Sequence, residues 1–209
     1  MRIPIVEKYK NKIGFYFNSP VKKGEKRDFV FIHIPKTGGT SIVSIFGEAF
    51  QKHNTAREVI DIIGRKRWDE VYKFSVVRNP WDRAHSYYKF RVKLNQQKMR
   101  TRPISFKDYV ACTYGEPKDP FYYYRAKNFM PQVDWLKDEH GVIDMDRIIR
   151  FENLQEGFRE VAEELGIPSE LPHINKTKET NYRDFYDDET RRIIGEWHAE
   201  DIEYFGYEF

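Results

Sequence analysis

Pro35-Lys36-Thr37-Gly38-Gly39-Thr40-Ser41 puts a cation, two glycines and neighbouring hydroxyls into seven residues, a set suited to holding an anion. The run follows the apolar Phe29-Val30-Phe31-Ile32-His33-Ile34 and precedes a helical pattern from Ile42 through Phe50. A buried strand that breaks at Pro-Lys-Thr-Gly-Gly and reopens as a helix builds a cradle. The glycines let backbone N–H groups approach a ligand closely. The helix start adds unsatisfied donors and the positive end of its dipole. Thr40 and Ser41 supply hydroxyls that also cap the helix, and Lys36 supplies a mobile point charge. The chemistry implied is recognition of a phosphate-like group.

The loop is not the ATP-binding one. That loop reads G-x-x-x-x-G-K-[ST], with lysine after the glycines and a hydroxyl next for magnesium. Here Lys36 precedes Gly38 and Gly39, and no glycine stands at the first position. A plain strand-to-helix turn is the bland alternative, but it requires neither the lysine nor the paired hydroxyls.

A second segment, Val76-Val77-Arg78-Asn79-Pro80-Trp81-Asp82-Arg83-Ala84-His85-Ser86, offers another anion site. Arg78 leaves a strand, and Ser86 lies about two turns into the helix that Pro80 opens. A guanidinium fork with a hydroxyl can hold a second phosphate. Taken alone, Arg78 reads more readily as a strand-end arginine paired with Asp82. The cradle upstream tips the reading towards a ligand.

The elements that must position these segments follow from periodicity and punctuation. Strands are expected over 28–34, 71–77 and 147–151. Helices are expected from the cradle to about residue 51, over 55–67 and from Pro80 through Tyr88. Further helices are expected from Phe106 to Cys112, from Met130 to Lys137, from Glu152 to Leu165 and from Asp187 to Tyr204. Residues 1–27 read as a polar, basic arm before a single domain over 28–209. Strands alternating with helices imply an α/β fold, a P-loop-like central parallel sheet flanked by helices. Ligands of such sheets sit beyond the carboxyl ends of the strands, where the cradle and Arg78 both lie.

Composition bounds the function. The 209 residues suffice for one well-filled core. With 33% charged and 40% hydrophobic residues the chain reads as soluble. A net charge of +3 does not call for nucleic acid, and none is expected as a partner. The 14 tyrosines and 16 phenylalanines are many, enough to line a cleft as well as fill a core. A lone cysteine, Cys112, excludes an internal disulfide and a cysteine-rich zinc site, and suits a reducing compartment. The first residues lack the apolar core of a signal peptide, and no run approaches the ~20 apolar residues of a membrane span. A cytoplasmic location is expected, and the initial Met argues mildly against truncation of an anchored parent.

With both segments in view, the chain resembles the sulfotransferases that use 3′-phosphoadenosine 5′-phosphosulfate (PAPS). Within them it is most similar to the group related to heparan-sulfate 2-O- and 6-O-sulfotransferases. Ile34 through Ser41 looks like the family's 5′-phosphosulfate loop, and Val77 through Ser86 like its 3′-phosphate motif. The resemblance extends over 28–209, including Ile174-Asn175-Lys176-Thr177 and Asp201-Ile202-Glu203-Tyr204-Phe205-Gly206-Tyr207. It implies that Lys36, Thr37, Gly38, Gly39, Thr40 and Ser41 bind the phosphosulfate, and that Arg78 and Ser86 bind the 3′-phosphate. Lys176 would close over the nucleotide with Tyr182 nearby.

Sulfuryl transfer builds charge on the departing phosphate oxygen, so positioning and electrostatic stabilisation should dominate. Lys36 is the natural group to stabilise that oxygen, and no metal is called for. The acceptor hydroxyl needs a base. By analogy with the related glycan enzymes that base is His53, between the cradle helix and the Arg78 strand, with His33 as the alternative. His85, His140, His173 and His198 carry no special signal. Relatives often carry a histidine three residues before Pro131-Gln132, where this chain has Asn128, so it should handle its acceptor differently.

The acceptor side is less sharply drawn. Tyr122, Tyr123, Tyr124 and Arg125 can stack on a sugar, and Arg91, Lys93, Lys98, Arg100 and Arg102 can meet an anionic polymer. Core aromatics and a solvated face are the competing readings. Analogy favours a carbohydrate hydroxyl. The rival functions are an ATP-dependent phosphotransferase and a non-catalytic module that binds PAP, the 3′,5′-bisphosphate product. The sequence does not give the oligomeric state.

Overall fold

The computed structural model describes residues 29–46, 53–172 and 181–209. The arm expected over 1–27, the far end of the cradle helix, His173 and the loop with Lys176 lie outside them. The described chain divides into two compact units. One holds 29–77 and 134–172, the other 78–133 and 181–209.

The first unit begins with β1 (Phe29–Ile32). Every one of its residues is buried, as fits a strand covered on both faces. The cradle follows and opens α1 (Gly39–Phe46). Next come α2 (Ala56–Ile63) and α3 (Arg65–Glu70), then β2 (Tyr72–Val77), again buried throughout. The one helix expected over 55–67 is therefore two. Gly64 separates them at φ 82°, a left-handed angle that glycine adopts without penalty.

The sheet continues with β3 (Arg147–Arg150), in the order β1-β2-β3 with both pairings parallel. Its ladder ends at the Val77↔Arg150 pair. The Ser75 hydroxyl donates to the Ile32 carbonyl at 2.7 Å, a further tie between β1 and β2. Lys73, buried on β2, faces Asp144 at 3.3 Å and Asp146 at 3.7 Å, so its charge is compensated. Asp146 also accepts the Lys73 N–H at 2.7 Å, fixing the approach to β3. After a single 3-10 turn, α7 (Leu154–Leu165) packs Phe158, Val161 and Leu165 onto Phe31, Phe74, Val76 and Ile149. It stops at Gly166, left-handed at φ 64°, where the sequence places its end.

The second unit is helical and its core aromatic. α4 (Pro80–Lys93) runs five residues beyond the expected Tyr88. α5 (Phe106–Tyr114) extends the expected helix by two residues. The boundary between the units falls inside α6 (Gln132–Leu136). The final helix is also two, α8 (Asp188–Trp197) and α9 (Ala199–Phe205), broken at His198. No glycine or proline marks that break, where His198 takes φ −108° and ψ 26° and its buried ring meets Asp201. Trp81, Tyr87, Tyr109, Tyr114, Phe129 and Ile194 form the core. Burying each such side chain is worth about 1.5–3 kcal/mol.

Candidate functional site

In the first unit the cradle is a strained turn. Lys36 has φ 71° and Gly38 φ 84°. For a non-glycine residue the left-handed region costs roughly 1–2 kcal/mol, so the fold holds Lys36 there against its preference. The buried Thr37 hydroxyl donates to the Ile34 carbonyl at 2.9 Å, and the Ser41 N–H to the Gly38 carbonyl at 3.1 Å. These bonds fold the turn so that Thr40 is exposed while Lys36 and Ser41 are half-buried.

Both glycines are sterically required. A Cβ on Gly38 would lie 2.9 Å from Phe151 and Leu154 side-chain atoms, and one on Gly39 2.3 Å from His33 Cδ2. The His33 imidazole thus lies against the start of α1, with its other face towards Phe31 at 5.4 Å between centroids.

His53 is brought to the same place. Its ring is 4.5 Å from that of His33, and its Nδ1–H donates to the His33 carbonyl at 2.9 Å. A carbonyl oxygen only accepts, so Nδ1 carries a proton, and in the neutral ring the lone pair is on Nε2. His53 also sits at a left-handed φ of 75°. Two residues on, Thr55 caps α2: its hydroxyl accepts the Glu58 N–H and Glu58 accepts the Thr55 N–H. That reciprocal box fixes the point from which His53 is presented. Both histidines considered as base therefore stand side by side. The other described non-glycine residues with positive φ are Asn95, Gln97 and Lys98, in and just before the 3-10 segment Gln96–Lys98, and Arg125, which precedes the one at Ala126–Phe129.

In the second unit Arg78 immediately precedes α4. Asn79 caps that helix, its Oδ1 accepting the N–H of Trp81 at 3.1 Å, and Pro80 occupies the first turn. The Arg78 guanidinium reaches Asp82 through both Nε and Nη2, each 2.8 Å from Oδ2. The pairing with Asp82 weighed from the sequence is thus present. Ser86 is half-buried two turns along α4. His85 is buried, stacked on Phe185 at 4.2 Å and edge-on to Phe106 at 5.4 Å. Burial, with the nearby Lys89, lowers its pKa to about 4.

The Arg78 backbone is gripped by a residue that sequence reasoning used only as a landmark. The Gln132 Oε1 accepts the Arg78 N–H at 2.9 Å, and its Nε2 donates to the Arg78 carbonyl at 2.8 Å. Behind it lies Asp201, fully buried, accepting the N–H groups of Gln132 and Val133 at 2.8 and 2.9 Å. His198 Nδ1 meets the same carboxylate at 3.0 Å. Burial alone would raise the Asp201 pKa; the His198 bond and the two N–H groups outweigh it and keep the group ionised.

Tyr182 lies in the 3-10 turn Tyr182–Phe185, edge-on to Tyr186 and Phe209, with the Arg183 guanidinium 4.7 Å above its ring. The acceptor-side residues divide. Arg91 is buried and donates to the Tyr122 carbonyl and Gln97 Oε1, both at 2.7 Å, so it does not belong to the basic surface expected over 91–102. Lys93, Lys98, Arg100 and Arg102 are exposed. Tyr123 packs on Phe129, whereas Tyr124 is 55% exposed beneath the Arg125 guanidinium at 5.4 Å. Asn128 donates to the Tyr87 hydroxyl at 2.8 Å, and Arg83 bonds the carbonyls of Asn128 and Met130. Among the described residues no helix is long and apolar enough to cross a membrane.

The chain is similar to known proteins in family, in sequence and in solved structure. The Sulfotransferase family matches residues 24–208. An uncharacterized protein of Archaeoglobus fulgidus is 29% identical over 122 residues, 58% of this chain and 90% of the relative. Among solved structures, a sulfotransferase from Alicyclobacillus acidocaldarius is similar over 88% of this chain and 97% of its own, at 15% identity and a TM-score of 0.47.

Proposed function

The chain belongs to the sulfotransferase family, and from that premise we propose that it transfers the sulfuryl group of PAPS to an acceptor hydroxyl on a carbohydrate. Backbone amides of Thr37 through Thr40, with Lys36 and the Thr40 and Ser41 hydroxyls, take the 5′-phosphosulfate, while the Ser41 N–H closes the turn onto Gly38. Arg78 and Ser86 take the 3′-phosphate. Tyr182 and Lys176 flank the nucleotide.

His53 Nε2 accepts the proton of the acceptor hydroxyl as its oxygen bonds to sulfur. Lys36 neutralises charge on the phosphate oxygen as its bond to sulfur breaks. Tyr124 and Arg125 offer an exposed ring and cation to a sugar.

The observation that carries this reading is the left-handed Lys36 at the foot of α1. A plain turn gains nothing from holding a lysine in a strained conformation, whereas a site that must aim an ammonium group does. Gly38 and Gly39 support it further, because any side chain there would meet Phe151, Leu154 or His33 and leave no room beside the amides.

The test is calorimetry with PAP, followed by labelled PAPS against a panel of glycans, phenols and small alcohols. Lys36→Ala and Arg78→Ala should each weaken PAP binding, and a glycan should take up label. Unchanged affinity in both variants would sink the site assignment. Thermal stabilisation by ATP and magnesium but not by PAP would point to a phosphotransferase. Tight PAP binding with no labelled product from any acceptor would point to a binding module.

A further inference from the structure

We infer that Gln132 is a positioning residue for Arg78, acting on its backbone rather than on any ligand. The inference rests on the reading of Arg78 as the 3′-phosphate anchor. The parallel ladder ends at Val77↔Arg150, so Arg78 is the first residue beyond the regular strand pairing. Its N–H and C=O are both taken by one side chain, Gln132, at 2.9 and 2.8 Å. A primary amide has an acceptor and a donor on adjacent atoms, the arrangement a neighbouring peptide group would present. Gln132 therefore serves as a one-residue strand partner.

The orientation of that amide is dictated from behind. Asp201 Oδ2 lies 3.3 Å from Gln132 Nε2 and 2.8 Å from the Gln132 N–H. A carboxylate only accepts, so it selects the orientation with Nε2 towards itself and Oε1 towards the Arg78 N–H. Reversing the amide would set oxygen against oxygen at Asp201 and N–H against N–H at Arg78. His198 in turn holds Asp201 through Nδ1 at 3.0 Å, at the junction of α8 and α9. Gln132, His198 and Asp201 are all at most 1% exposed, so solvent does not compete for these bonds. With its backbone fixed by Gln132 and its guanidinium steered by Asp82, Arg78 is presented in one orientation.

A double-mutant cycle on the full chain, read by calorimetric PAP affinity, tests this. Gln132→Ala should weaken PAP binding by about tenfold when Arg78 is present, the scale of one or two lost hydrogen bonds. In an Arg78→Ala background the same change should alter affinity by less than about twofold. With PAPS as donor, Gln132→Ala should raise KM and leave kcat nearly unchanged, because the arginine holds a group remote from the reacting sulfur.

Gln132→Glu provides the second variant if Gln132→Ala does not fold, judged by circular dichroism and thermal melting. It keeps the volume but loses the donor to Arg78 and faces Asp201 with oxygen, so it should reproduce the affinity loss. A full, additive loss in the Arg78→Ala background, or equal falls in kcat and kcat/KM, would overturn the inference and leave Gln132 as general scaffolding. No loss from either Gln132 variant would overturn it as well. If Arg78→Ala itself leaves PAP affinity unchanged, the site reading fails first and the inference falls with it.

Discussion

In the Lys36–Ser41 turn the polypeptide itself is deformed. A lysine and a glycine take left-handed angles, and a neighbouring glycine makes room for an imidazole. Around Arg78 the chain is held instead by side chains drawn from α4, α6 and α9: Asp82, Gln132 and Asp201. The first region stores strain in the backbone, and on the proposed reading its N–H groups would serve a tetrahedral anion. The second uses the buried Gln132 and Asp201 to hold one arginine's backbone and the half-buried Asp82 to steer its guanidinium, a group with a preferred planar approach. The difference suits a division between a reacting group that changes charge and a remote group that only has to be recognised. It also implies that the two regions fail differently. The cradle should lose chemistry without losing stability, and the Arg78 region should respond to anything that titrates its packing.

The sharpest break of this contrast is at His53. Asparagine tolerates the left-handed conformation and its amide can still donate to the His33 carbonyl, but it is no base. His53→Asn should therefore lower kcat by about 10²–10⁴-fold while the thermal midpoint stays near wild type. Steady-state assays with labelled PAPS and a true acceptor, alongside melting curves, read both quantities. Wild-type turnover in this variant would remove His53 from the chemistry. A large fall in stability would mean that the ring is a structural wedge for His33.

Lys36 gives the next largest effect, and a similar choice of variant separates strain from charge. Lys36→Gly adopts φ 71° freely and loses the ammonium group together with its half-buried stem. Its kcat should fall by about 10²–10³-fold, the scale for losing one donor to a developing oxyanion. Its stability should match or exceed that of Lys36→Ala, which retains the strain. If Lys36→Gly turns over like wild type, the cradle is a turn and the contrast between the regions collapses.

What the sequence made legible divides along the same line. The cradle, the strands and the stop at Gly166 are encoded by neighbours, so motif and punctuation reveal them. The grip on Arg78 is not: Gln132 lies 54 residues from Arg78, and Asp201 a further 69 away. No local pattern distinguishes a glutamine that imitates a strand from one on a surface. Arg91 shows a different loss. Read next to Lys93 and Lys98 it looks like part of a basic patch. On α4, however, it stands four and eight residues from Tyr87 and Arg83, on the inward face. Its charge rests among Tyr87, Tyr109 and Phe129, with centroids 5.4–5.7 Å away. Ending the expected helix at Tyr88 hid that periodicity. Asn128 is hidden for the reason that hides Gln132, since its partner Tyr87 lies 41 residues away.

The smallest effect is expected on the side-chain-built region, and only in acid. His85 precedes Ser86 on α4, stacked on Phe185, with its pKa lowered from an ordinary 6.5 to about 4 by burial and by Lys89, Asp82 opposing. The unfolded chain takes up this proton as pH falls through 6.5, and the native protein does not until about 4. Stability is therefore lost progressively across that window and the loss is complete below it. At 1.36 kcal/mol per pH unit, the depression to about 4 sets an upper bound of about 3 kcal/mol. His85→Phe keeps the stacking with Phe185 and Phe106 and removes the titrating nitrogen. Denaturant unfolding at pH 7 and pH 4.5 should show the variant near wild type, or slightly above it, at the first and above it by about 1–3 kcal/mol at the second. Equal pH slopes in the two proteins would mean that the native imidazole accepts its proton without penalty, and that the packing around α4 is open to water where the geometry closes it.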